Sequence, residues 1–130
     1  MLVLDASVVL TASAQQDGFE VFGREVLIAP PLMWPEARSV LHVSRWRGLI
    51  SEEVAGRSLA LLESGRIRER RHRRLGKEAW RIADEFGWSK TYDAEYLALA
   101  SLLDGRIVTL DRRVLRAAQR LRLETGFSWD

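Results

Sequence analysis

The sequence has no cysteine and only two histidines among its 130 residues. Disulfide frameworks and thiolate metal sites are therefore excluded, and oxygen ligands are the simplest choice for any metal. No apolar run is long enough to cross a membrane, and Met1 leads directly into a strand-like segment instead of a charged and then apolar signal. These absences predict a cytoplasmic protein in which a metal ion would be held by oxygen atoms.

The length suits a single domain over residues 1–130, with a formal net charge of +2 that is unevenly distributed. One short segment contains His72 and six arginines, namely Arg66, Arg68, Arg70, Arg71, Arg73 and Arg74. Basic groups that hold phosphates, separate from an acidic site, would suit an enzyme acting on a polyanion. A solvated surface explains the same arginines equally well, and His72 is more typical of a surface residue than of a general base.

Two aspartates follow short apolar runs that are typical of buried strands. Asp5 follows Leu2, Val3 and Leu4, and Asp111 follows residues 106–110. Neither run alternates strongly, as expected for strands that a parallel sheet buries on both faces. Because ligands bind at the carboxyl ends of such strands, two aspartates there suggest a divalent metal site.

Strand-like and helix-like segments alternate along the chain. The predicted strands are 2–4, 26–29 and 106–110, with Ile67 in another short strand. The predicted helices are 8–13, 34–45, 51–63, 77–86, 91–103 and 114–122. Residues 15–23 are predicted to form a loop or a single helical turn, and residues 124–130 an edge strand or a loose end. This order predicts an α/β fold with a parallel sheet flanked by helices.

Several polar residues near helix starts admit two interpretations. Glu36 shares a helix face with Val40 and Val43, which predicts an acid near the core, but an acid in a first turn also suits the helix dipole. Asp93 shares a face with apolar residues and has the same alternative. Ser7 could cap the first helix or support Asp5, and capping is the more common role.

Two further expectations concern caps and burial. Thr91 is a candidate cap for the helix that contains Asp93. Trp80 lies among the residues of the 77–86 helix that are predicted to be buried. Five tryptophans, including Trp34, Trp46 and Trp88, suggest apolar contact surface, although a core position is equally compatible with their composition.

Four ordered motifs make the chain resemble a PIN-domain ribonuclease, most similar to the VapC toxins of bacterial and archaeal toxin–antitoxin pairs. The motifs are LDAS with Asp5, PEARSVL with Glu36, TYDAEYLALA with Asp93 and VTLDRRVLRAA with Asp111. The resemblance runs nearly end to end and implies a PIN-like three-layer α/β/α sandwich with a central, mostly parallel sheet. It also implies that the four carboxylates bind Mg²⁺ or Mn²⁺ and that Thr109 helps to order the site.

The resemblance further implies an activity and partners. A metal-activated water would hydrolyse RNA phosphodiesters of tRNA, rRNA or mRNA, leaving 5′-phosphate and 3′-hydroxyl ends. VapC-like proteins are usually homodimers, held inactive by a cognate antitoxin protein. The chain departs from the family pattern in the short 15–23 segment, in the strongly basic 66–74 segment and at Arg113, where no additional acid follows.

Residue chemistry supports the metal without the resemblance, because hard oxygen ligands and the lack of cysteine select Mg²⁺ or Mn²⁺ over zinc. Two other functions stay open. The carboxylates could hold a structural cation or accept a phosphoryl group, although the acidic pair and late lysine of a receiver domain are lacking. A PIN-like fold could also serve as a non-catalytic protein-interaction module.

Overall fold

Four strands and six α-helices alternate along the computed structural model, which describes residues 1–127. The strands are β1 (Leu2–Leu4), β2 (Leu27–Ala29), β3 (Ile67–Glu69) and β4 (Arg106–Val108). The helices are α1 (Ala6–Ala14), α2 (Met33–Trp46), α3 (Glu52–Leu62), α4 (Leu75–Phe86), α5 (Tyr92–Leu103) and α6 (Arg112–Arg120), and a 3₁₀ helix spans Gly18–Phe22.

The four strands form one parallel sheet in the order β3-β2-β1-β4. Val3 in β1 is in register with Ile28 on one side and with Ile107 on the other. The chain proceeds from β1 outward to β3 and then returns across the sheet to β4. Since parallel crossovers are right-handed, this reversal places α1–α3 on one face and α4 and α5 on the other. The predicted α/β three-layer sandwich is confirmed.

Burial of the strands follows their place in the sheet. All three residues of β1 and of β2 are buried, because helices cover both faces of these inner strands. In β3, at the sheet edge, only Ile67 is buried, which is why this strand carries charged residues. The apolar run before Asp5 therefore identified a central strand correctly, whereas the run before Asp111 contains β4, the strand at the other end of the sheet order.

Helix α5 packs against β1 and β4 and contacts α4 and α6. Ala94 and all residues from Tyr96 to Ala100 are buried, in agreement with the almost wholly apolar sequence of this helix. The turn into β4 contains Gly105, where a Cβ atom would lie 3.2 Å from Cγ2 of Val3. A side chain at this position would push β4 away from β1, so glycine permits the close approach.

The expected burial of Trp80 was wrong. Trp80 is 66% exposed, and Val40 and Val43, which share a helix face with Glu36, are also exposed. A periodic pattern identifies a helix face, but it cannot show whether another element covers that face. The 15–23 segment, predicted as a loop or a single helical turn, contains the short 3₁₀ helix, and its Phe19 and Phe22 are buried.

Some boundaries also differ from the prediction. Strand β4 ends at Val108, two residues early, whereas α1 and α4 each begin two residues before the predicted start. Beyond α6, Thr125 forms a parallel bridge with Ile107, so part of the predicted edge strand is present; residues 128–130 lie outside the described residues. Within residues 1–127, no helix has the length and apolar character needed to cross a membrane.

Candidate functional site

The strand order reverses between β1 and β4, and the helices that follow these strands leave toward opposite faces of the sheet. In open α/β sheets, ligands bind outside the carboxyl ends of the strands at such a switch point. Asp5 comes directly after β1, and Thr109 and Asp111 come after β4. Glu36 and Asp93 reach the same region from the first turns of α2 and α5.

Asp5 is the most buried of these carboxylates, with 6% of the residue exposed. Its Oδ1 accepts hydrogen bonds from the Ser7 hydroxyl at 2.6 Å and from the Val8 amide at 3.1 Å. Its Oδ2 accepts a hydrogen bond from the Thr109 hydroxyl. Asp5 is therefore the cap of α1, and Ser7 supports Asp5 instead of capping the helix itself.

Glu36 is half-buried, and its Oε1 accepts a hydrogen bond of 2.7 Å from the Tyr96 hydroxyl. This contact joins the first turn of α2 to α5, on which Tyr96 lies three residues after Asp93 and therefore near it on the same side of the helix. The partner that a semi-buried acid requires is thus a tyrosine hydroxyl, and Glu36 is not simply a solvated first-turn acid.

Burial is the main cause that raises the pKa of Asp5 above its ordinary value, and hydrogen bonds from Ser7 and Thr109 oppose part of that effect. Burial also raises the pKa of Glu36, against the lowering effect of the Tyr96 hydroxyl. The charge of Asp93 raises the pKa of both groups further. These three carboxylates are therefore close enough to repel one another.

A fourth acid, Glu95, also lies near Glu36. Burial raises the pKa of Glu95, and the charge of Glu36 adds to the effect. Glu95 was not assigned to the site from the sequence, and its position two residues after Asp93 gave no signal of the contact with Glu36.

Asp111 is connected to the site through Thr109. Its backbone amide donates to Thr109 Oγ1 at 3.0 Å, and the Thr109 hydroxyl in turn donates to Asp5. The Asp111 carboxylate accepts from the amides of Arg113 and Val114 and so caps α6. Thr91, by contrast, stands at the start of α5 but its side chain caps no amide in the described part of the chain.

Arg113 is the feature of this region that sequence reasoning missed. Its guanidinium forms an ion pair with Asp93 Oδ2 and lies over the Trp88 ring, 4.7 Å from the ring centroid. It borders a cavity of about 180 Å³ whose walls include Glu36, Trp88, Lys90, Tyr92 and Asp93. A cation of the protein itself is therefore placed beside the carboxylates.

The donor set suits a hard divalent cation, since Asp5, Glu36, Asp93 and Asp111 offer oxygen atoms at one edge of the sheet. In residues 1–127, however, no three acidic, histidine or cysteine side chains lie close enough together to hold a metal ion as they stand. Asp5 is engaged by hydroxyl and amide donors, and Asp93 by Arg113. A cation entering here would have to draw Asp93 away from Arg113 and toward the other acids.

The arginines of the 66–74 segment divide between the two ends of the strands, the carboxyl end and the amino end. Residues 70–74 follow β3 and so lie at the same carboxyl edge as Asp5, two strands or about 10 Å away. Arg66 precedes β3, where its guanidinium donates to the carbonyls of Gly23 at 2.8 Å and Glu25 at 3.1 Å. Arg66 and Arg68 border a cavity near the start of β2, so neither accompanies the acidic groups.

His72 also has a local role, because its Nδ1 accepts a hydrogen bond from the Arg74 amide at 3.0 Å in the turn before α4. Arg71 forms an ion pair with Glu69 at 3.2 Å. These contacts shape the segment after β3.

No model of a known protein family matches the chain, and a search of the curated proteins also finds no match. Among solved structures, the chain is similar to PAE2754 from Pyrobaculum aerophilum, with 28% sequence identity and a TM-score of 0.72. The match covers 89% of this chain and 84% of that one. The similarity therefore extends over most of the sheet and its helices.

Proposed function

We propose that the protein is a metal-dependent endoribonuclease of the PIN-domain type, similar to the VapC toxins. The observation that carries the proposal is the grouping of Asp5, Glu36 and Asp93 at the β1/β4 switch point, where burial and, to a smaller extent, the charge of Asp93 raise the pKa of Asp5 and Glu36. Carboxylates crowded at a ligand-binding edge, with pKa values shifted upward, are typical of sites that bind cations or transfer protons.

Asp5 and Asp93 would hold Mg²⁺ or Mn²⁺ together with Asp111, and Glu36 would act as a further ligand or as the base that orients water. When bound, the metal would lower the pKa of water and stabilise negative charge on the phosphate. Ser7 and Thr109 fix the orientation of the Asp5 carboxylate, since each donates a hydrogen bond to a different oxygen.

In the proposed reaction, the water oxygen bonds to phosphorus and the bond from phosphorus to O3′ breaks. Glu36 accepts one proton of the water, and the departing O3′ takes up a proton from solvent, which leaves 5′-phosphate and 3′-hydroxyl ends; Glu36 then returns its proton to solvent. Tyr96 keeps the carboxylate in place through its hydroxyl.

Substrate and partners form the rest of this proposal. Arg70, Arg71, Arg73 and Arg74 lie at the carboxyl edge and would contact RNA phosphates beyond the cleavage point. By resemblance, the protein would act in the cytoplasm as a homodimer controlled by an antitoxin. Trp46, 81% exposed on α2, offers apolar surface for either contact.

The direct test is cleavage of total RNA and of a tRNA panel by the purified protein in Mg²⁺, in Mn²⁺ and in EDTA, with the ends mapped. We expect discrete metal-dependent cuts that disappear in Asp5→Asn and Asp93→Asn. Asp84→Asn, which removes an exposed charge on α4, is the matched control and should cut as the wild type does. Products with a cyclic phosphate would refute the mechanism, because they require attack by the ribose 2′-hydroxyl.

A second candidate is a metal-binding or protein-interaction module without cleavage, and the Arg113–Asp93 ion pair favours it because a cation already neutralises one carboxylate. If RNA stays intact while Mn²⁺ raises the melting temperature of the wild type but not of Asp93→Asn, the module replaces the nuclease. If Mn²⁺ has no effect on either protein, metal binding itself is refuted.

A further inference from the structure

The cavity beside Asp93 combines cations with aromatic rings. Arg113 and Lys90 contribute positive charge to its walls, and Trp88 and Tyr92 contribute rings. Its volume of about 180 Å³ is small, and it adjoins Glu36 and Asp93, so an occupant would contact the proposed cleavage site directly. Cations that meet a phosphate and rings that meet a base are the combination by which proteins bind single-stranded nucleic acid.

Arg113 is held in place before any ligand arrives. Its guanidinium lies over the Trp88 ring and is paired with Asp93, so two contacts restrict its side chain. Guanidinium has five N–H donors in a planar fork, and the bond to Asp93 comes from one terminal nitrogen. A phosphate oxygen can therefore bind to Arg113 without breaking that pair. The side chain is already ordered, so less conformational entropy is lost on binding.

The charge of Arg113 also answers an electrostatic difficulty. Glu36 and Asp93 are negatively charged when ionised and would repel an RNA phosphate that approaches the carboxyl edge of the sheet, more strongly the closer it comes. Arg113 is paired with Asp93 and lines the same cavity, so it offsets one of these charges. Lys90, exposed in the connection before α5, adds a second positive charge at the same opening.

Tyr92 differs from Tyr96 although both belong to α5. Tyr96 is buried and bonded to Glu36, whereas Tyr92 is 53% exposed at the cavity wall. An exposed tyrosine ring in the first turn of a helix contributes little to the core, but it can stack on an unpaired base. Such stacking contributes about 1–3 kcal/mol per base.

We propose that this cavity is a subsite for one nucleotide of a single-stranded RNA, adjacent to the bond that is cut. Arg113 and Lys90 hold the phosphate of that nucleotide, and the Tyr92 ring stacks on its base. The inference rests on the proposed ribonuclease function and states how the strand is positioned. It also requires an unpaired substrate region, because a base in a duplex cannot reach the ring.

The test is the binding of a fluorescein-labelled six-nucleotide single-stranded RNA in EDTA, followed by fluorescence anisotropy at several salt concentrations. Tyr92→Ala should raise Kd by about 5- to 150-fold, the equivalent of the stacking energy, whereas Tyr92→Phe keeps the ring and should bind within about twofold of the wild type. Arg113→Gln should weaken binding and reduce the slope of log K against log salt by about 1.

Two substitutions serve as matched controls. Trp80→Ala removes an exposed ring from α4, and Arg116→Gln removes an exposed charge from α6, the helix that carries Arg113. Both should bind the RNA as the wild type does. Thermal unfolding of each variant verifies that the fold is retained, which is expected because Tyr92 and Arg113 are both exposed.

The outcomes separate the subsite from the nuclease. If Tyr92→Ala and Arg113→Gln bind RNA like the controls, the subsite is refuted, and metal-dependent cleavage by the wild type still supports the nuclease. If they lose binding but the wild type cuts no RNA in Mg²⁺ or Mn²⁺, binding of single-stranded RNA at the cavity is supported, whereas the nuclease and the place of the cavity beside a cleaved bond are refuted. If the wild type does not bind the RNA, the subsite is refuted and only the cleavage assay bears on the nuclease.

Discussion

The Tyr96 hydroxyl donates a hydrogen bond of 2.7 Å to Glu36, and removal of that single oxygen tests the electrostatics of the site. Tyr96→Phe keeps the ring, which is 1% exposed, so the change opens no large cavity. A hydrogen bond to a charged group contributes about 1.5–3 kcal/mol, and one between neutral groups about 0.5–1.5 kcal/mol. We expect Tyr96→Phe to lower the free energy of unfolding by the larger amount when Glu36 is ionised and by the smaller amount when it is protonated.

The sign of the pH dependence follows from the pKa of Glu36, which burial already raises in the folded protein. A carboxyl with a raised folded pKa holds its proton longer than the unfolded chain does, so its contribution to stability falls as pH rises between the two pKa values. Loss of the Tyr96 bond raises the pKa of Glu36 further. The stability difference between variant and wild type should therefore grow from about pH 4 to about pH 8.

The assay is urea unfolding of both proteins in EDTA at these two pH values. Tyr92→Phe is the matched control, because Tyr92 is the only other tyrosine and lies four residues earlier on the same helix with its ring half exposed. It should change the free energy of unfolding by less than about 0.5 kcal/mol. A Tyr96→Phe loss equal to that of the control, or equal at both pH values, would refute the assigned role of the hydrogen bond.

Two further predictions concern the acids and the sheet. In EDTA, the free energy of unfolding should fall as pH rises above about 4 through the raised pKa values of Asp5 and Glu36. Glu36→Gln should make this fall less steep when urea unfolding is followed over the same pH values. An equally steep fall in the variant would contradict the raised pKa of Glu36. Gly105→Ala should lower the free energy of unfolding by about 1–3 kcal/mol, because the new Cβ would lie 3.2 Å from Cγ2 of Val3. Gly56→Ala is the control, because this glycine lies in a helix and the new Cβ would meet no neighbouring side chain within 4 Å. It should raise the free energy of unfolding by about 0.5–1 kcal/mol. Equal effects of the two substitutions in the same unfolding assay would show that the approach of β4 to β1 is looser than described.

The sheet could be predicted from sequence because its central strands are buried on both faces. Leu2, Val3 and Leu4 are all buried, so each position requires an apolar residue, and the sequence shows an apolar run without alternation. The same holds for α5, whose apolar residues surround the helix. Charge in the 66–74 segment is explained by the edge position of β3, a property of the strand order that no local pattern encodes.

The environment of the acids could be predicted only in part. Asp5 and Asp111 were located because each follows a strand, and both cap the next helix. The partner of Glu36 is 60 residues away on α5, so the Tyr96 contact depends on the sheet, which brings the first turns of α2 and α5 to the same carboxyl end of the strands, and not on a local pattern. Arg113 was noted from the sequence only as a position without an additional acid. Its ion pair with Asp93 places a positive charge beside the carboxylates, which no local pattern predicted. Metal binding, RNA cleavage and protein partners stay predictions.

The pairing of β1 with β4 has a consequence for folding. The Thr109–Asp5 hydrogen bond joins residues 104 positions apart, and Glu36 and Asp93 belong to the intervening chain. Closing so long a loop is entropically costly and slow, so the β1–β4 contact is expected late in folding. A chain in which β2, β3 and their helices have already condensed on β1 still lacks the Thr109 contact and the start of α6. Any species in which β4 has not yet paired with β1 therefore lacks the Thr109 contact that holds Asp5.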